Sequence, residues 1–253
     1  MSPSDARWLR AYRLTPMPRL RLACFPHAGG SASFFRDWAA HLPADIDLLA
    51  VQYPGREERF DEPPSPSLEA MAEAIAPALL DYADAPLALF GHSLGAALAY
   101  ETARVLERHG VVPLRLFASA HPAPHLQRGG RLHAAPDRAL LDDVARLDAG
   151  NAVRLADPEL RALVLPALRS DYRLIETYRR APPLPLASPI EVLLPTADRE
   201  VDRAEAEGWQ AATQRPLTLT RVEGGHFYLI EQRQPLLEHL GRCLSPSLSR
   251  EVA

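Results

Sequence analysis

Pro86-Leu87-Ala88-Leu89-Phe90-Gly91-His92-Ser93-Leu94-Gly95-Ala96-Ala97-Leu98-Ala99-Tyr100 decides how the rest of the chain is read. The apolar run Leu87 to Phe90 has the length and composition of a buried strand. The Ala- and Leu-rich residues after Gly95 predict a helix that ends at His109-Gly110. Between them lies Gly91-x-Ser93-x-Gly95. A strand turning directly into a helix leaves no room for side chains two residues either side of the serine. The strained turn also pushes the serine hydroxyl clear of the sheet, above a helix N-terminus. This nucleophile-elbow pattern makes Ser93 the candidate nucleophile. Gly and Ser are common in turns, so the flanking strand and helix carry the reading.

Working outward, Arg19 to Phe25 reads as a strand ending in Pro26-His27-Ala28-Gly29-Gly30-Ser31, where the glycine pair lets main-chain N–H groups turn toward a ligand. Phe34 to Leu42 reads as a short amphipathic helix capped by Ser33, and Ile46 to Tyr53 as a strand stopped by Pro54-Gly55. A polar loop, Arg56 to Ser67, precedes a helix reaching about Tyr82. After the elbow helix comes a strand at Leu114 to Ser119. From His121 to about Leu186 the periodicity is helical, with no strand. Alternation resumes with a strand at Pro189 to Leu194, a helix at Ala204 to Ala212, a strand at Leu217 to Val222 and a closing helix from Tyr228 to Leu244. The expected fold is α/β: one domain over residues 1–253, with a mostly parallel central sheet flanked by helices. The helical insertion at residues 121–186 falls at the carboxyl edge of the strands, where α/β sites form. It reads either as a lid or as a packed helical extension.

A serine hydroxyl is a poor nucleophile at neutral pH and needs a base. Of nine histidines, His226 is best placed, after a strand and two glycines and before the last helix. His41, His109 and His239 belong to surface helices, and His92 packs beside the nucleophile. Pro122 and Pro124 deny His121 and His125 a helical i,i+4 geometry, and no carboxylate or thiol cluster matches them, so no metal site is expected. Asp198, in the turn Pro195-Thr196-Ala197-Asp198, is the candidate acid that orients the imidazole. Asp202 is its rival, but it sits where it would cap the next helix. The order Ser93, Asp198, His226 is that of the α/β-hydrolase triad. The oxyanion hole is assigned to the backbone N–H groups of Leu94 and Ala28.

The formal net charge is -4, with both signs mixed along the chain, so no basic block points to nucleic acid. Cys24 and Cys243 are the only cysteines and both lie in apolar segments, reading as buried thiols rather than a disulfide. Met1 to Arg13 is polar and lacks the apolar core of a secretory signal. No apolar run approaches a membrane span. A cytoplasmic, soluble, monomeric protein without a cofactor is expected.

The chain resembles the type II thioesterases of polyketide and nonribosomal peptide synthesis over nearly its whole length. The resemblance rests on Phe25-Pro26-His27-Ala28-Gly29-Gly30, on Gln52-Tyr53-Pro54-Gly55-Arg56-Glu57-Glu58-Arg59, and on Gly91-His92-Ser93-Leu94-Gly95-Ala96. Further marks are Asp171-Tyr172-Arg173, Glu176-Thr177-Tyr178, the turn with Asp198, Trp209, and Gly224-Gly225-His226-Phe227. It implies an α/β-hydrolase fold and hydrolysis of acyl groups from the phosphopantetheine arms of carrier proteins, the expected partners. It also implies that the insertion is a lid over an acyl pocket. Two features depart from the family pattern. Ala120-His121-Pro122-Ala123-Pro124-His125 stands where many members carry an arginine-bearing turn, and Pro195 stands where glycine is more usual. Arg56 and Arg59 read either as loop-fixing partners of Glu57, Glu58 or Asp61, or as contacts to a phosphate. The alternatives are a small-molecule esterase or acyltransferase on the same fold, and a non-catalytic binding module. The last is disfavoured because every triad position is present.

Overall fold

The computed structural model describes residues 7–148, 150, 153, 155–179 and 182–245; parts of the expected insertion, at 149, 151–152, 154 and 180–181, lie outside the described residues. Seven strands form one sheet: β1 (Leu9–Arg13), β2 (Leu20–Phe25), β3 (Ile46–Val51), β4 (Leu87–His92), β5 (Leu116–Ser119), β6 (Ile190–Pro195) and β7 (Thr218–Val222). Their order is β1-β3-β2-β4-β5-β6-β7. All neighbours run parallel except β1, which pairs antiparallel with β3. Strands β2 to β6 are buried along their whole length, as expected of a sheet covered on both faces.

Side chains alternate between two cores. Ala23, Phe25, Leu87 and Leu89 pack beneath α1 (Leu68–Leu80) and α2 (Leu94–Arg108). Leu22, Cys24, Ala88 and Phe90 pack on the other face against Phe35, Trp38, Leu237 and Leu240. Ser67 caps α1, its hydroxyl accepting from the Ala70 N–H at 3.1 Å, an interaction that stabilises by ~1 kcal/mol.

The structure adds a strand and revises three helices. β1 was not expected, because Leu9-Arg10-Ala11-Tyr12-Arg13 reads as a basic polar segment. At a sheet edge, charged side chains are compatible with strand pairing, and only the pairing with β3 reveals it. Residues 32–40 form 3-10 turns rather than an α-helix, and Ser33 caps nothing: Ser31 and Ser33 both donate to Glu57 Oε1, at 2.6 and 2.5 Å. Residues 203–212 divide into α5 (Arg203–Glu207) and a 3-10 segment. The closing helix breaks at Gln232 into α6 (Tyr228–Glu231) and α7 (Arg233–Cys243). In the insertion lie α3 (Asp137–Leu147), reached from β5 through short 3-10 turns, and α4 (Pro158–Thr177). No described helix is long and apolar enough to cross a membrane.

The chain leaves β2 for β3 on one side of the sheet, while β4 lies on the other. Ligand sites form at the carboxyl ends of strands around such a switch point. Here those ends carry the loop His27 to Gly30 and Ser93.

Candidate active site

Ser93 sits at φ 55° and ψ −122°, outside the ordinary regions for a non-glycine residue. Its two glycines are required for different reasons. A Cβ on Gly91 would lie 2.1 Å from the Gly95 carbonyl oxygen, so Gly91 serves the turn itself. A Cβ on Gly95 would lie 2.1 Å from the Phe25 carbonyl oxygen, so Gly95 lets α2 touch the end of β2. The Ser93 N–H donates to Ser119 O at 2.9 Å, which ties the turn to β5.

His226 Nδ1 lies 2.9 Å from Asp198 Oδ2, and both side chains are buried. An Nδ1–H held by a carboxylate leaves Nε2 as the basic nitrogen. The two turns are sewn together: Thr196 N–H donates to Val222 O and Ala197 N–H to Gly224 O, each at 2.9 Å. Asp202 is occupied elsewhere, in a capping box with Glu205 at the start of α5. Of the two carboxylates, Asp198 reaches the imidazole and Asp202 closes a helix.

His92 packs beside His226, with ring centroids 5.1 Å apart. Its Nδ1 meets Ser119 Oγ at 2.9 Å, and Ser119 Oγ meets Tyr228 OH at 2.9 Å. Burial, then the nearby His226, holds His92 well below the usual histidine range. The same two causes push His121 down to about 3. Both are neutral at physiological pH.

The loop from Pro26 to Ser33 is held by the end of β3 and the residues after it. Gln52 Oε1 accepts from the Ala32 N–H at 2.7 Å, and Tyr53 OH donates to Pro26 O at 2.8 Å. Arg56 donates to Gly30 O at 2.8 Å and makes a two-pronged pair with Asp171 of α4, at 2.7 and 2.8 Å. Asp171 Oδ2 also accepts the Gly29 N–H at 2.8 Å, and the Gly30 N–H is taken by His27 O at 2.9 Å. Among the described residues, the N–H groups of Ala28 and Leu94 have no protein acceptor. These are the two N–H groups that the sequence assigned to an oxyanion hole.

The sequence pattern Gln52 to Glu57 is thus a fastening for the loop. Arg56 and Arg59 do fix structure, but with partners other than those expected. Arg59 pairs with Glu62 at 2.6 Å, donates to Gln52 O at 2.6 Å and stacks over Trp8.

Ser93, Leu94, Ala28 and His226 open into a cavity of about 640 Å³. Its far wall comes from the insertion, where Val144 of α3 and Val164, Leu168 and Tyr172 of α4 give an apolar lining. Tyr172 OH donates to Asp143 at 2.8 Å. Glu176 accepts from the N–H groups of Leu132 and His133, at 2.8 and 2.9 Å, which anchors the loop before α3. Sequence reasoning assigned no role to Asp171 or Glu176. The available signal was that Leu168, Asp171, Tyr172 and Ile175 share one helical stripe, and a carboxylate within a buried stripe needs a partner. Glu191, His239 and Cys243 are the one group of potential metal ligands among the described residues. Glu191 is already held by Arg115, Thr220 and His239, and it stands at the opposite end of β6 from Asp198.

The strained serine turn at the end of β4, on a mostly parallel sheet of this strand order, defines an α/β-hydrolase fold. A family model described as a thioesterase domain matches residues 20–244. The chain belongs to the thioesterase family. It is 43% identical over 227 residues to thioesterase PikA5 of Streptomyces venezuelae, covering 89% of this chain and 81% of that one. A probable cadicidin biosynthesis thioesterase of Streptomyces griseus is 39% identical over 248 residues, covering 98% of this chain and 69% of that one. The structure of the type II thioesterase BorB from the borrelidin biosynthetic cluster superposes with a TM-score of 0.88 at 42% identity, covering 97% of this chain and all of that one.

Proposed function

We propose that this chain is a type II, editing thioesterase that hydrolyses acyl groups from the phosphopantetheine arms of carrier proteins in a polyketide or nonribosomal peptide synthase. The observation that carries the reading is His226, held through Nδ1 by Asp198, opening into the same cavity as Ser93. Family membership supplies the thioester as substrate class. Ser93 Oγ attacks the thioester carbonyl while His226 Nε2 takes its proton, and Asp198 holds the imidazolium that forms. The tetrahedral oxyanion is stabilised by the N–H groups of Ala28 and Leu94. Collapse breaks the C–S bond, and His226 returns the proton to the departing pantetheine sulfur. Water then attacks the acyl-serine with His226 as base, releasing a carboxylic acid and free Ser93. In this reading the insertion is the lid over the acyl chain, the carrier domain is the only macromolecular partner, no cofactor takes part, and the enzyme works as a cytoplasmic monomer.

The test is release of free acid from acyl-carrier proteins, with the same acyl groups offered as simple thioesters and as oxygen esters. Carrier-bound thioesters should be cleaved fastest, and Ser93→Ala should lower turnover by at least ~1,000-fold. Preference for oxygen esters would make the protein an esterase. Acylation of Ser93 without release would make it an acyltransferase.

A further inference from the structure

We infer that Arg56 and Asp171 are positioning residues: their buried ion pair holds the Ala28 N–H in the oxyanion hole and couples that donor to the wall of the acyl cavity. The inference rests on the triad and oxyanion assignments above and extends them to two residues that touch no reacting atom.

Helix α4 grips Gly29 from two sides. Asp171 Oδ2 takes its N–H at 2.8 Å. One turn earlier, Leu168 lies so close that a Cβ on Gly29 would meet Leu168 Cδ1 at 2.9 Å. Gly29 has φ 76°, so the peptide it shares with Ala28 follows a path that glycine permits. The Gly29 and Gly30 N–H groups are both engaged, whereas the Ala28 N–H has no protein acceptor among the described residues, and Ala28 lines the cavity beside Ser93. Arg56 completes the grip through Gly30 O at 2.8 Å, and its guanidinium lies 5.2 Å from the centre of the Tyr53 ring.

Charge explains why the clamp is a pair. A bare carboxylate beside Gly29 would oppose the negative charge that develops on the adjacent oxyanion. Arg56 sits bidentate on Asp171, so the clamp brings hydrogen-bonding capacity without net charge. Because α4 also supplies Leu168 and Tyr172 to the cavity lining, the helix that senses the acyl chain is the helix that sets the donor.

The experiment is steady-state hydrolysis of a simple acyl thioester by wild type, Ser93→Ala, Asp171→Asn, Arg56→Met and the double variant, with melting curves for each. Asp171→Asn keeps the size and one acceptor, and should lower kcat about 10-fold with KM changed less than about threefold. Arg56→Met leaves the carboxylate uncompensated and should lower kcat about 100-fold, in the range seen for loss of one oxyanion donor. Adding Asp171→Asn to Arg56→Met should return kcat toward the Asp171→Asn level, because the bare charge is gone. In parallel, affinity for an acyl boronic acid, a tetrahedral adduct former, should fall with kcat, while affinity for a non-hydrolysable thioether analogue should hold.

Variants that melt like wild type yet keep kcat, or that lose boronate and thioether affinity together, would overturn the clamp and leave the thioesterase reading intact. If Arg56→Met does not fold, Asp171→Asn and its two affinities decide the matter alone. If Ser93→Ala retains wild-type turnover, the catalytic assignment falls and the clamp falls with it.

Discussion

The nucleophile turn and helix α4 line the same cavity, yet they are specified in opposite ways. The turn is built from five consecutive residues, of which Gly95 alone answers to a distant segment, the Phe25 carbonyl at the end of β2. Its glycines avoid backbone clashes, and its serine accepts a strained conformation where strand meets helix. Helix α4 is built from contacts with distant segments. Asp171 holds Gly29 and Arg56, Tyr172 holds Asp143, Arg173 holds Ser65 O, and Glu176 holds Leu132 and His133. The buried Tyr178, just past its end, reaches Glu101 of α2. The cavity joins a serine turn that sequence dictates with an apolar wall that only packing assembles.

If that contrast is right, small changes in the turn should be the most damaging. Gly95→Ala forces a methyl into the Phe25 carbonyl, with backbone on both sides and no flexible side chain to give way. It should destabilise by at least ~3 kcal/mol in urea denaturation, or prevent folding. Gly225→Ala has open space around it and an unexceptional φ, so it should shift stability by less than ~0.5 kcal/mol. Equal losses from the two would erase the distinction between glycines that geometry requires and those it does not.

The wall should fail more gently and locally. Glu176→Ala strands two backbone N–H groups, at a cost of about 1–3 kcal/mol if they stay buried. Amide exchange should accelerate at residues 130–135 while the β4 amides stay protected. Exchange that accelerates equally in both places would mean that the insertion and the sheet open as one unit.

pH separates the regions next. His121 has a folded pKa lowered to about 3, by burial and then by His226, from 6.5. A lowered histidine leaves stability intact above the unfolded pKa and removes it as pH falls from 6.5 toward 3, because the unfolded chain binds the proton first. His92 acts in the same direction. Melting temperature should therefore drop across that window, and His121→Leu should flatten the drop.

The smallest effect belongs to the far end of β6. His239 is raised to about 9 by its hydrogen bonds to Cys243 and Glu191. Its contribution is complete below 6.5 and lost as pH rises through 9. The group is partly exposed, so screening keeps the effect near ~0.5 kcal/mol. His239→Gln should remove that alkaline limb of the stability profile and leave the acid limb unchanged.

Much of the fold was readable because its signals are periodic or steric. Strand–helix alternation, the apolar runs of β2 to β6 and the glycine spacing around Ser93 are all written within a few residues, even though Gly95 is small because α2 touches the end of β2. Strand β1 escaped because an edge strand tolerates the arginines that made it look like a polar tail. The break at Gln232 and the 3-10 path of residues 32–40 escaped because backbone propensity does not distinguish them from helix; the neighbours decide. Asp198 could be ranked above Asp202 because Asp202 lies nearer the next helix and could cap it, but only the fold shows that β6 delivers Asp198 to His226 while Asp202 caps α5.

The sequence alone therefore determined the strained turn, the order of Ser93, Asp198 and His226 proposed as nucleophile, acid and base, and a parallel sheet to carry them. Each is a consequence of residue size and pattern along a short stretch. Only the tertiary structure decided what Arg56 and Asp171 do, which amides of the first loop stay free, and how large the cavity is. Those answers depend on residues 115 positions apart meeting out of water, where an ion pair forms only if folding brings both partners together.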